Sequence, residues 1–154
     1  MESDEARDLL RIAERAEAAP YVDHPPTPWW YYPAVGGWAA AMIGTFTWWR
    51  ENIGLLVGSM ALLIVVEVMF LGWMSRRHGA FPMPGKGTPP AEIRVEWNRY
   101  FMAMPIVAGL IVVAWWLVGV GLAALVAFLL ITGGLFVYER RYEKAACAVR
   151  ARLT

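Results

Sequence analysis

Apolar and polar residues fall into long blocks along this chain, and the blocks predict helices that cross a membrane. From Ile53 to Met74 the sequence is apolar almost throughout, and the only charged residue in this stretch is Glu67. At about 1.5 Å per residue, a helix over these positions is roughly 33 Å long, enough to cross a hydrocarbon core of about 30 Å. The chain is therefore predicted to be an integral membrane protein.

Three further apolar blocks complete the predicted membrane domain. Residues 101–137 would form a helix of about 55 Å if they were continuous, so we expect the chain to turn back near Gly119 and Gly121. The expected fold class is all-α, with four spans arranged as two hairpins in a membrane domain of residues 32–138. The predicted spans are residues 32–49, 53–74, 100–118 and 120–138.

Polar segments flank and divide the apolar blocks. Residues 1–19 predict an acidic amphipathic helix that ends before Pro20, and residues 20–31 predict an extended strap rich in proline and aromatic residues. Residues 75–99 are predicted as a loop, within which Pro89 and Pro90 indicate the start of the helix that continues into the third span. Residues 139–154 are predicted to continue the last span as a basic helical tail. The N-terminal arm carries a net charge of −3 and the tail +3, so we expect contact between them.

Charge and composition exclude several classes of function. The net charge of +1 gives no indication of nucleic-acid binding, and the single cysteine, Cys147, excludes an internal disulfide. His24 stands beside Asp23 in the strap, which is weak support for a metal site. Glu92 and Glu96 lie four residues apart, and salt bridges to Arg94 or Arg99 are the favoured interpretation. We expect no enzyme activity, no metal and no cofactor.

The distribution of basic residues predicts the orientation. If the chain has four spans, 13 of its 14 lysines and arginines lie on the side of the two termini, and Arg50 alone lies on the other. Cytoplasmic loops are enriched in these residues. Both termini and the loop of residues 75–99 are therefore predicted to be cytoplasmic.

Glu67 is the candidate functional residue, because a carboxylate inside a span is costly unless it is paired or neutral. Thr132 in the fourth span is predicted at nearly the same depth. One interpretation is a protonated Glu67 that bonds to Thr132 or a backbone carbonyl and joins two helices. The other is a site for a proton or a cation. The small multidrug-resistance transporters share four short spans and one embedded glutamate, although their acid lies in the first span.

Small residues predict where helices approach one another closely. They favour association into a homo-oligomer or a larger membrane complex, in addition to contact with the lipid bilayer. The candidate helix-packing residues are Gly36, Gly37, Ala40, Gly44, Gly133 and Gly134.

The segment Pro-Trp-Trp-Tyr-Tyr-Pro, from Pro28 to Pro33, follows a charged, alanine-rich helix and precedes a span with many small residues. Over residues 3–44 this pattern resembles a broad group of small actinobacterial integral membrane proteins of unassigned function. The resemblance implies residence in the bacterial cytoplasmic membrane and supplies no activity. The sequence thus favours a structural, accessory or partner-binding role, with proton-coupled or cation transport through Glu67 as the alternative.

Overall fold

The computed structural model describes residues 2–23, 27–78 and 88–153, and all regular structure in these ranges is helical. The predicted all-α class is confirmed. The elements are α1 (Glu2–Val22), α2 (Tyr31–Gly44), a 3₁₀ turn (Thr45–Trp48), α3 (Ile53–His78), α4 (Ala91–Leu117) and α5 (Val120–Leu153).

Three of these helices, α3, α4 and α5, are long and apolar enough to cross a membrane. Only 6%, 6% and 11% of their most apolar windows are buried within the protein. So much exposed apolar surface is typical of helices that lipid surrounds. The first predicted span, residues 32–49, corresponds to α2, which has 14 residues, and to the 3₁₀ turn after it.

Helix α2 packs between α3 and α5. Its Gly36 lies against Thr132 and Phe128 of α5. Its Trp38 donates an indole hydrogen bond to the carbonyl oxygen of Leu63 in α3, at 3.3 Å. Positions 36 and 38 are about 200° apart around a helix, so the two neighbours lie on opposite sides of α2.

Aromatic contacts at the start of α2 show the same order. The ring of Tyr31 stacks on Phe70 of α3 with centroids 6.1 Å apart, and the next ring, Tyr32, meets Phe136 of α5 edge-on at 5.9 Å. Helix α4 packs against α5. The apolar helices therefore form a row in the order α3, α2, α5, α4.

The turn between α4 and α5 lies where the sequence predicts it. Gly119 has a φ of 123°, a conformation that side chains other than glycine rarely adopt. The amide of Val118 donates to the carbonyl oxygen of Ala114 at 3.1 Å and closes the last turn of α4. The chain therefore reverses at Gly119 and α5 begins at Val120.

Helix α1 does not end before Pro20, contrary to the prediction. It continues to Val22, and the amide of Asp23 still donates to the carbonyl oxygen of Ala19 at 3.0 Å. Tyr21 and Val22 are buried against other helices. This packing outweighs the unfavourable effect of one proline in the last turns of the helix. The neighbouring His24 lies outside the described residues.

The largest buried cluster joins the two ends of the chain to the start of α4, and we call it the junction. Three segments supply it: the end of α1, the first turns of α4 and the last turns of α5. Its members are Ala18, Tyr21, Val22, Ile93, Trp97, Tyr142, Ala146 and Val149. The predicted contact between the N-terminal arm and the tail is therefore confirmed. Nearer the start of α1, Leu9, Leu10 and Ile12 are exposed.

Side chains of the tail also cap α1. The hydroxyl of Tyr142 donates to the carbonyl oxygen of Tyr21 at 2.8 Å, and Arg150 donates to that of Val22 at 2.6 Å. These carbonyl groups end a helix and lack partners within it, and an arginine there also complements the helix dipole. The contact between α1 and the tail is therefore stabilised by burial of apolar side chains and by hydrogen bonds to backbone carbonyl groups. The sequence predicts it from the opposite net charges of the two segments alone.

Candidate functional site

Glu67 lies on the one face of α3 that the rest of the protein covers. Seven residues of this helix between positions 53 and 77 are at least partly buried, and they recur every three or four positions. These residues are Leu56, Ser59, Met60, Leu63, Glu67, Phe70 and Met74. All other residues in that range are exposed. Glu67 therefore faces protein and not the surrounding lipid.

The covered face of α3 packs on α2. Leu63, about one turn before Glu67, accepts the hydrogen bond from Trp38, and Phe70, about one turn after it, stacks on Tyr31. Glu67 consequently lies in the seam between α2 and α3. Within the described chain, Glu67 makes no hydrogen bond and no ion pair.

Thr132 lies on the opposite side of α2. Its Oγ1 atom is buried without a hydrogen-bond partner among the described residues and packs directly against Gly36. The predicted hydrogen bond between Glu67 and Thr132 is therefore wrong for this structure. Similar depth in the membrane is not enough for contact, because α2 separates the two residues.

Helices α2 and α5 approach each other closely at Gly36. A Cβ atom on Gly36 would clash with the Thr132 hydroxyl and would lie only 2.9 Å from the carbonyl oxygen of Phe128. Ala40 is half-buried. A Cβ atom on any of the other candidate packing glycines would meet nothing within 4 Å in the described chain. These glycines are Gly37, Gly44, Gly133 and Gly134.

Two alanines of α5 that the sequence analysis does not single out are fully buried in the row. Ala123 and Ala127 are both 0% exposed. They are four residues apart, and small residues at this spacing are a recurrent signal of close helix packing in membranes. This spacing in the fourth predicted span is the feature that could have identified them.

The paired carboxylates of α4 take part in salt bridges. Glu96 is buried and pairs with Arg99 at 2.5 Å, which confirms the predicted ion pair. Glu92 lies 3.7 Å from Arg152 of the tail and not beside Arg94, so it links α4 to α5. In the part of the chain that the structure describes, no group of acidic, histidine or cysteine residues could hold a metal ion.

The strap is tied to α5 by a further polar contact. The hydroxyl of Thr27 donates to the carboxylate of Glu139 at 2.8 Å. Glu139 immediately follows the last predicted span, so this bond lies where that apolar segment ends. It joins positions 112 residues apart, and no local pattern in the sequence indicates it.

Comparison with known proteins assigns no family to this chain. No protein-family model, no curated protein and no solved structure matches it. The function is therefore argued from the geometry of the row, the junction and Glu67.

Proposed function

We propose that this protein is a small integral membrane protein with a structural or accessory role, and that it binds a second copy or another membrane protein within the bilayer. The observation that carries the proposal is the open row of helices. Its outer members, α3 and α4, are each covered along one face, and their other faces are exposed and apolar. Such faces are suited to packing against lipid and against further helices.

We propose four spans, with α2 and the 3₁₀ turn together forming the first. Tyr31–Trp48 comprises 14 α-helical and four 3₁₀ residues, which span about 29 Å. This length supports a crossing of a core of about 30 Å. Both termini then lie on one side, and the excess of lysine and arginine there supports a cytoplasmic location at the bacterial inner membrane.

The native Cys147 provides a test of this orientation. It is the only cysteine of the chain, and it is exposed on the tail. We expect a membrane-impermeant thiol reagent to label it in inside-out vesicles and not in intact spheroplasts. A matched variant, Cys147→Ser with Asn52→Cys, places the thiol between α2 and α3 and should show the reverse. Labelling of Cys147 from outside would contradict the proposed orientation.

Photo-cross-linking within the membrane tests the partner-binding role. A photoreactive residue in place of Val65, which is 55% exposed on the outer face of α3, should form adducts with protein. The same residue in place of Leu63 is the matched control, because it faces α2 and should react within its own chain. If position 65 reacts with lipid alone, the outer face of α3 does not bind a partner.

Transport of a proton or a cation is the second candidate function. It is favoured by one observation: Glu67 lies partly buried in a span without a hydrogen-bond partner among the described residues. Acidic residues inside membrane spans are often sites of proton or cation binding. Thr132 lies on the opposite side of α2 and does not share this site, so the transport hypothesis depends on Glu67 alone.

The carboxyl vibration of Glu67 in lipid, followed as pH changes with Glu67→Gln to assign the band, separates the two functions. A carboxyl group that stays protonated throughout, in a protein that glutamine does not destabilise, supports the structural role. A carboxyl band that changes with pH and that shifts again when a lipophilic amine is added would instead make Glu67 a binding site.

A further inference from the structure

A continuous band of aromatic rings crosses three helices at one end of the row. Neighbouring rings are in contact throughout, with centroids between 5.9 and 6.3 Å apart. The band runs from α3 over the start of α2 to α5, and its six members are Trp73, Phe70, Trp30, Tyr31, Tyr32 and Phe136.

An arginine lies over the ring at each end of this band. The guanidinium carbon of Arg77 is 5.4 Å from the ring centre of Trp73, and that of Arg140 is 4.3 Å from the ring centre of Phe136. Each arginine is four residues after its ring, so both pairs lie along one face of a helix. Both arginines are exposed, and neither has an acidic partner among the described residues.

The band lies where the apolar segments end. Arg77 and Arg140 follow the last apolar turns of α3 and α5, and tryptophan and tyrosine rings are enriched at this level of a bilayer. Arg76 and Arg141 stand beside them and add positive charge at both ends of the band. This is the level at which the inserted protein would meet the lipid phosphate groups.

We propose that Arg77 and Arg140 bind the headgroup phosphates of anionic phospholipids, one lipid at each end of the aromatic band. A guanidinium group stacked on a ring keeps its N–H edge free, and that edge can donate two parallel hydrogen bonds to a phosphate. The ring limits the motion of the side chain, so less conformational entropy is lost on binding. The acyl chains then lie along exposed apolar residues of the same helices, such as Met69 and Val137.

This inference goes beyond the proposed function, because it requires only that the protein is inserted in a membrane. It does not depend on a bound partner or on the role of Glu67. Native mass spectrometry of the purified protein, titrated with phosphatidylglycerol in detergent micelles, tests it. We expect two saturable sites. Arg77→Gln and Arg140→Gln should each weaken one site about fivefold, the factor that corresponds to about 1 kcal/mol per basic residue at an anionic surface. The double variant should weaken both sites by this factor.

Two controls separate specific binding from general attraction to charge. Arg50→Gln removes an exposed arginine at the other end of the row and should leave both sites unchanged. Phe136→Leu keeps every charge but removes the ring under Arg140, and should weaken that site alone. Should a glutamine variant fail to fold, lysine at the same position keeps the charge without the planar donor edge, and we expect an intermediate affinity.

Three results would overturn the proposal. The first is a double glutamine variant that retains as much phosphatidylglycerol as the wild type. The second is an equal loss in Arg50→Gln. The third is equal binding of phosphatidylcholine, or complete displacement of the lipid by inorganic phosphate at equal concentration, since either would show that an anionic lipid is not what the arginines recognise.

Discussion

The junction and the row of apolar helices bury their side chains to very different degrees. In the junction, Ile93 and Val149 are fully buried and Trp97 is 4% exposed. Among residues 53–77 of the outer helix α3, only Leu56 and Met74 reach comparable burial, and most of the surface remains exposed. Helices α4 and α5 contribute to both regions, whereas α3 belongs to the row alone.

The difference follows from the solvent of each region. The junction lies beyond the apolar segments, where water makes exposed apolar surface unfavourable, so its side chains must cover one another. In a bilayer, lipid would solvate the apolar faces of the row, and association there would depend on close packing at small residues and on hydrogen bonds. A substitution should therefore act through cavity formation in the junction and through helix separation in the row.

The largest effect is expected from Ile93→Ala in the junction. It removes buried atoms and leaves a cavity, which typically costs about 2–5 kcal/mol of unfolding free energy. Hydrogen exchange should then become faster in α1 and in the last turns of α5, and remain slow in the row. Val95→Ala, at an exposed position of the same helix, is the control and should change stability by less than about 0.5 kcal/mol. Unchanged exchange in α1 would show that the junction does not hold the two ends of the chain together.

A smaller effect is expected in the row from Gly36→Ala. The added methyl group would meet Thr132 and the Phe128 carbonyl oxygen, and overpacking of this kind costs about 1–3 kcal/mol. Gly37→Ala makes the same chemical change where nothing lies within 4 Å, and better helix propensity should stabilise it by up to about 1 kcal/mol. Unfolding in mixed micelles measures both. Adding Thr132→Ala to Gly36→Ala should restore part of the loss, and equal stability of the two glycine variants would refute this helix contact.

The smallest effect is expected from Tyr142→Phe, which removes one hydrogen bond to the Tyr21 carbonyl oxygen and should cost about 1 kcal/mol at pH 8. Burial, with a smaller contribution from the negative charge of Glu139, raises the pKa of Tyr142 from 10.0 to about 12. The folded protein therefore favours the neutral hydroxyl, and the neutral form of Tyr142 adds to the free energy of unfolding. This contribution is complete below pH 10 and decreases as pH rises towards 12.

Alkaline unfolding measures this contribution. The stability of Tyr142→Phe should fall less steeply than that of the wild type between pH 10 and 12, because the variant has one fewer buried hydroxyl to ionise. Identical slopes for the two proteins would show that Tyr142 ionises equally well in the folded and the unfolded chain. Its hydrogen bond to α1 would then contribute nothing at high pH.

Glu67 and Thr132 show that depth along a span is not enough to predict contact between two helices. Counting residues along each helix places the two side chains at similar depths, but it does not say which helices are neighbours. Which helices are neighbours depends on contacts such as Gly36 with Thr132 and Trp38 with Leu63, which join residues far apart in the sequence. The arginines over Trp73 and Phe136 are the opposite case, because each pair lies within one helix. An aromatic residue four positions before an arginine can be found in the sequence alone.

The sequence by itself determined the helical class, the three long apolar helices, the reversal at Gly119 and the start of α4 after Pro89 and Pro90. It also predicted that Glu96 forms a salt bridge with Arg94 or Arg99, and the structure selects Arg99. These depend on block length, on proline and glycine conformations and on residues a turn apart, which are all local. Only the tertiary structure decided that α2 separates Glu67 from Thr132 and that α1 continues past Pro20. Both depend on packing between distant segments, whose free energy exceeds local preferences and cannot be inferred from spacing along one helix.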